Sequence, residues 1–173
     1  MTTKQAAIAV LTQAMQIERE GMAFYGQAAT RSASSRAREL FTSLVADETT
    51  HLSILRAEYD SMQGSGSWLA AQVALPQIAG ALTLFPKGQR ALDQVATLPS
   101  DLEALQFAMG IEQKGYDLYA KASKDVPDLD GQALLGHLAK MESRHYKALQ
   151  DAYGYLTHPG HWFDDEEKPI FEG

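Results

Sequence analysis

Apolar residues recur at steps of three and four along four stretches of the chain, and each stretch is broken at one level by acidic side chains. Ile8, Leu11, Met15, Met22 and Tyr25 form the first seam, with Glu18 in the seam position between Met15 and Met22. Thr2 and Gln5 have the spacing of a capping box at its start, and the helix is expected to end near Thr30, before the turn cluster Ser32-Ala33-Ser34-Ser35. The second seam reads Ala37, Phe41, Leu44, Glu48, His51, Leu55, Met62, interrupted near its end by Glu58 and stopped by Gly64-Ser65-Gly66-Ser67. Pro99 and a capping box of Ser100 with Glu103 open the third, Leu102, Leu105, Met109, Glu112, Tyr116, Tyr119, which closes at Val126-Pro127-Asp128. The fourth is Leu135, Leu138, Glu142, His145, Leu149, Leu156, ending near Thr157. Gly88 to Leu98 is expected to hold a short helix.

These elements predict an all-α four-helix bundle over residues 1–157. Two helical hairpins are joined by one long crossover, 63–100, which makes the second and third helices parallel. The tail, 158–173, is not periodic and is expected to pack on the bundle or at an interface. Residues 61–86 carry no charged side chain, but their apolar part, Trp68 to Phe85, is interrupted by Gln72, Pro76, Gln77 and Gly80 and is short for a membrane span. A buried connection along the bundle or an oligomer contact is the better reading.

The acidic interruptions repeat. Glu18, Glu48 and His51 recur as Glu112, Glu142 and His145 at one offset of 94 (112 − 18, 142 − 48 and 145 − 51). Ala14/Ala108, Gly21/Gly115, Tyr25/Tyr119, Ala28/Ala122, Leu44/Leu138 and Leu55/Leu149 are identical at the same offset, so the hairpin is duplicated. In Glu-x-x-His, three steps of about 100° leave the two side chains roughly 60° apart on one helix face. At about 1.5 Å per residue, each pair of glutamates stands roughly 22 Å from its own turn, so two antiparallel hairpins bring all six groups to one level.

Four carboxylates on apolar seams, with only two imidazoles and no Lys or Arg on those seams, do not bury without neutralisation. Two divalent cations bring about +4 and balance them. The spacing therefore predicts a metal centre ligated by Glu18, Glu48, His51, Glu112, Glu142 and His145. Carboxylates with one imidazole per cation suit iron or manganese, and zinc would also bind.

Composition narrows the classes. The 173 residues contain no cysteine, which excludes disulfides and thiolate metal sites within them. A net charge of −7 without a basic stripe argues against nucleic-acid binding. The start, Met1-Thr2-Thr3-Lys4-Gln5, has no signal-peptide pattern, so a cytoplasmic protein with no membrane partner is expected.

The stretch Ile17-Glu18-Arg19-Glu20-Gly21-Met22-Ala23-Phe24-Tyr25, Glu48-Thr49-Thr50-His51, Ile111-Glu112 through Tyr119, and Glu142-Ser143-Arg144-His145 resemble the rubrerythrin branch of the ferritin-like superfamily. The ending, Trp162-Phe163 through Gly173, is similar to tails of small bacterial rubrerythrin-like proteins. The resemblance covers nearly the whole chain. It implies a ferritin-like bundle with two iron ions and a peroxidase- or ferroxidase-like oxidoreductase of oxidative stress. Oxygen or peroxide would be its substrate, an unidentified protein or small molecule its electron donor, and a homodimer its assembly. Two departures stand out: rubrerythrins carry a four-cysteine rubredoxin domain, and an extra carboxylate three residues after the third-helix ligand, where this chain has Gly115. Alternatives on the same scaffold are a manganese catalase, an oxygen-dependent hydroxylase whose apolar pocket the 61–86 stretch would line, and a non-catalytic protein of iron storage or delivery.

Tyr25 and Tyr119 stand seven residues after a candidate ligand and either pack the core or hydrogen-bond a ligand carboxylate. Glu20 and His137 are expected on the surface, His158 and His161 in loop contacts of the tail, and Asp164-Asp165-Glu166-Glu167 in a solvated run.

Overall fold

A computed structural model describes residues 3–71, 75, 76 and 99–158. The Thr2 cap, the short helix over Gly88 to Leu98, most of the 63–100 crossover, and the tail with His161, Trp162 and the acidic run lie outside those residues. Four long helices lie among the described residues, α1 (Thr3–Arg31), α2 (Ser35–Gly64), α3 (Pro99–Asp125) and α4 (Leu129–Thr157), and no strand does.

Local chemistry sets the ends. Ser34 caps α2, its hydroxyl accepting from the Ala37 N–H at 3.3 Å. Asp128 caps α4, accepting from the Asp130 and Gly131 N–H groups at 3.0 Å each. Beyond α2, Gly66 adopts φ 77°, the left-handed conformation that a glycine takes without a Cβ penalty.

α1 pairs with α2 and α3 with α4 as two hairpins. The Ser34 N–H donates to Asp101 Oδ2 at 3.0 Å, which places the first hairpin's turn beside the start of α3. α2 and α3 therefore run in the same direction, and the two hairpins are antiparallel. At the opposite end Lys4 Nζ donates to the Gln63 carbonyl at 2.8 Å.

The buried line of α1 is Ala7, Leu11, Ala14, Glu18, Gly21, Tyr25 and Ala28. α3 repeats it as Asp101, Leu105, Ala108, Glu112, Gly115, Tyr119 and Ala122. Steps of four and three alternate strictly, with alanine or glycine at every second place except Asp101. This corrects the expected seams: Ile8, Met22, Leu102 and Met109 are only half-buried, and Tyr116 is 40% exposed. The cause is close helix approach. A Cβ on Gly21 would already stand 3.7 Å from Ile111 Cγ2 of α3, so small residues occupy the contact line and larger ones flank it.

Two apolar clusters fill the bundle. One gathers Leu11, Leu52, Leu55, Met62, Leu135 and Tyr119. The other gathers Tyr25, Phe41, Leu44, Leu105 and Leu149. The acidic level of each helix lies between them. Among the described residues no helix is long and apolar enough to cross a membrane.

Candidate metal centre

All six repeated residues meet in one cluster, and each is at most 3% exposed. They form two overlapping sets, Glu18, Glu48, His51, Glu142 and Glu48, Glu112, Glu142, His145. Within each set one donor atom per residue lies within 4.8 Å of all the others, so each set could hold a metal ion. Glu48 and Glu142 belong to both.

Both imidazoles turn Nδ1 inwards. His51 Nδ1 lies 3.0 Å from Glu48 Oε2, 3.5 Å from Glu142 Oε1 and 3.6 Å from Glu18 Oε2. His145 Nδ1 lies 3.2 Å from Glu48 Oε1 and 3.3 Å from Glu112 Oε2. The two rings stack at 5.6 Å between centroids. Several of these approaches are not hydrogen bonds. Glu112 Oε2, Glu142 Oε1 and His145 Nδ1 are enclosed and have no hydrogen-bond partner. These donor atoms converge without satisfying one another, which is the arrangement a cation completes.

The protonation pattern agrees. Burial, helped by repulsion from Glu48, pushes the Glu18 carboxyl up to about 8. Burial and then the charges of Glu48, Glu112 and Glu18 hold Glu142 well above the usual carboxylate range. Burial also works against ionised Glu48, but hydrogen bonding by Glu18, the charge of His145 and the His51 hydrogen bond outweigh it and hold Glu48 well below that range. Burial disfavours both imidazolium ions, yet the surrounding carboxylates win and raise both imidazoles. Without a cation, protons neutralise the cluster, and a metal ion would compete for those positions.

Surrounding groups fix the donors. The Tyr25 hydroxyl donates to Glu112 Oε1 at 2.5 Å, and the Tyr119 hydroxyl donates to Glu18 Oε1. Each tyrosine comes from the opposite hairpin to the carboxylate it holds: Tyr25 lies on α1 and Glu112 on α3, Tyr119 on α3 and Glu18 on α1. Gly115 leaves room for Glu142, since a Cβ there would stand 2.9 Å from Glu142 Oε2 and 3.1 Å from its Cδ. A larger side chain at 115, including a further carboxylate, would displace Glu142.

Three buried acids escape the repeat. Asp47 Oδ2 lies 3.2 Å from His145 Nε2. Glu58 Oε2 accepts from the Leu69 N–H at 3.0 Å, and Asp101 accepts from Ser34. At offset 94 their counterparts are Met141, Ala152 and Ala7, so a search for matched pairs passes over them (47 + 94, 58 + 94 and 101 − 94). The signal available for Asp47 was its place four residues before His51, on the same helix face. His137 is half-buried and not the surface residue expected; its Nε2 is enclosed without a hydrogen-bond partner, and burial lowers its basicity. Glu20 is exposed and accepts from Gln16 at 2.7 Å.

A cavity of about 600 Å³ opens at the end of the bundle, lined by Ala7, Val10, Met62, Trp68, Leu118 and Val126 among others. It includes none of the six cluster residues. The enclosed cluster is therefore separate from this cavity.

Over residues 6–155 the sequence matches the family model described as a ferritin-like domain. Comparison with curated proteins and comparison with solved structures give no match.

Proposed function

We propose that this chain, which belongs to the ferritin-like family, is a di-iron carboxylate protein of rubrerythrin-like type that acts as an oxidoreductase on peroxide or oxygen. Glu18, Glu48, His51, Glu112, Glu142 and His145 would hold the two ions. The observation that carries the reading is the overlap of the two donor sets at Glu48 and Glu142. Two cations bound by those sets would share those carboxylates, and their charge would replace protons on the cluster.

Iron, when bound, supplies the electrons for reduction of the oxidant. The remaining work belongs to the chain. Tyr119 and Tyr25 hold the carboxylates of Glu18 and Glu112, and Asp47 holds the ring of His145. Apolar layers on both sides exclude bulk water. One imidazole per cation in a carboxylate-rich set supports iron or manganese over softer metals.

Iron binding without turnover, for storage or delivery, is the second reading. Gly115 favours it, because the extra carboxylate of the rubrerythrin pattern is missing and would not fit beside Glu142.

The test is anaerobic reconstitution with ferrous iron, then mixing with peroxide and separately with oxygen. Close to two irons per chain are expected, and repeated turnover of peroxide when a chemical reductant in excess returns the iron to the ferrous state. One stoichiometric oxidation with iron retained would select the second reading. Elemental analysis showing no iron after reconstitution would sink both, and Glu48→Ala with Glu142→Ala is expected to abolish iron retention.

A further inference from the structure

We infer that the two cation positions are inequivalent, and that Asp47 makes the one served by His145 the tighter. The inference rests on the two-cation centre proposed above and concerns this chain's own residues.

In most respects the halves of the centre match. Each set has one unshared glutamate, one imidazole and the same two shared glutamates. Glu18 accepts from Tyr119 as Glu112 accepts from Tyr25. Each imidazole points Nδ1 at carboxylates.

The outer nitrogens break the match. His145 Nε2 faces Asp47 Oδ2 at 3.2 Å, and both groups are buried. His51 Nε2 is equally enclosed but has no hydrogen-bond partner. The sequence gives the cause. The residue 94 places after Asp47 is Met141, which is 1% exposed and offers only a weak thioether acceptor. One imidazole thus has a carboxylate behind it and the other does not.

That difference bears on affinity. A carboxylate behind a ligating imidazole fixes the tautomer, orients the ring and raises the basicity of the inner nitrogen. Loss of such a partner typically costs roughly 10- to 100-fold in metal affinity. Asp47 is a positioning residue, since it acts on the cation through His145.

Cobalt(II) is a suitable probe, read by calorimetry and by its visible absorption under anaerobic conditions. Glu18→Ala and Glu112→Ala each remove the unshared glutamate of one set, and they remove the same charge. Glu18→Ala retains the His145 position and is expected to bind cobalt roughly 10- to 100-fold more tightly than Glu112→Ala. Adding Asp47→Asn should remove most of that gap and shift the cobalt spectrum of the Glu18→Ala protein, while its effect in the Glu112→Ala protein stays small. Helix content by circular dichroism should not change. If Asp47→Asn unfolds the chain, Met141→Asp in the Glu112→Ala protein carries the test, and tighter binding there supports the inference.

Equal affinities in the two single-set proteins overturn the inference and leave the two-cation centre standing. The same holds if Asp47→Asn weakens both equally, or if Met141→Asp changes nothing. A wild-type protein that binds no cobalt and no iron overturns the centre itself, and the inference with it.

Discussion

Gly115 contributes no side chain, and its effect on the centre comes from that. An added Cβ would stand 2.9 Å from Glu142 Oε2. In the metal-free chain the end of a glutamate can swing aside, and alanine is a better helix former than glycine by about 1 kcal/mol. With a cation in place Glu142 cannot move without leaving it. Gly115→Ala is therefore expected to melt no lower than wild type when metal-free, yet to bind metal at least roughly tenfold more weakly. Thermal melts with chelator, paired with a cation titration, check both halves. At this scale the sequence was informative wherever the two halves agree. All six cluster residues and both tyrosines could be picked out by their offset, because each is a polar group at an apolar position, twice. Asp47, Glu58 and Asp101 could not, because each has an apolar residue at the matching place and their burial depends on contacts between distant parts of the chain.

The helices are tied together by acids that accept from backbone N–H groups. After α2 the chain turns at Gly66, and Trp68 lies against α4, where a Cβ on Gly131 would meet its ring at 2.6 Å. Glu58 accepts from the Leu69 N–H and Asp130 Oδ1 from the Ala71 N–H, each at 3.0 Å. Burial, opposed in part by that Leu69 N–H, raises the Glu58 carboxyl. Glu58→Ala should cost about 1–3 kcal/mol, since it leaves a partly buried donor unmet, while Glu58→Gln keeps an acceptor and should cost less. Urea midpoints measure the cost, and faster amide exchange at residues 69–71 would locate it. If the alanine variant matches wild type in both, the contact contributes nothing to docking of this segment. Helix ends were legible in the sequence because caps and turns are local chemistry, as at Ser34 and Asp128. The contact face was less so. Met22, Met109 and Tyr116 have the apolar bulk of seam residues, but the line is occupied by alanine and glycine, whose value appears only once two helices approach.

In the whole molecule the centre lies between the hairpins, and each donor set takes three residues from one hairpin and one from the other. Cations would therefore clasp the hairpins together, and chelation should lower the melting temperature. The sign of the pH response should differ between the two states. Glu18 is raised from 4.5 to about 8 in the folded chain, so the folded state retains a proton that the unfolded state has released. That contribution is complete below 4.5 and lost as pH rises through about 8. The raised imidazoles act in the same sense, complete below 6.5 and lost as pH rises through their folded values. Glu48 acts oppositely, but its contribution is lost only as pH falls from 4.5 towards its lowered folded value. Metal-free protein is thus expected to lose stability between pH 6 and about 8.5, while the gain from added manganese grows over the same range as protons leave the ligands. Calorimetric melts at the two pH values, with chelator and with manganese, decide it; chelated protein that stabilises as pH rises would contradict the assignment of protons to Glu18 and the imidazoles.

The offset of 94 residues has a consequence of its own. A hairpin with Glu, Glu and His at these spacings is its own complement: two identical copies around a twofold axis would supply every donor of the cluster. Such a pair would have to treat its two halves alike, because any residue changed in one copy changes in both. Once the copies are joined in one chain, symmetry stops being enforced, and each position can be altered by itself. Asp47 opposite Met141 is that licence in use, a difference between halves that no assembly of identical hairpins could have written.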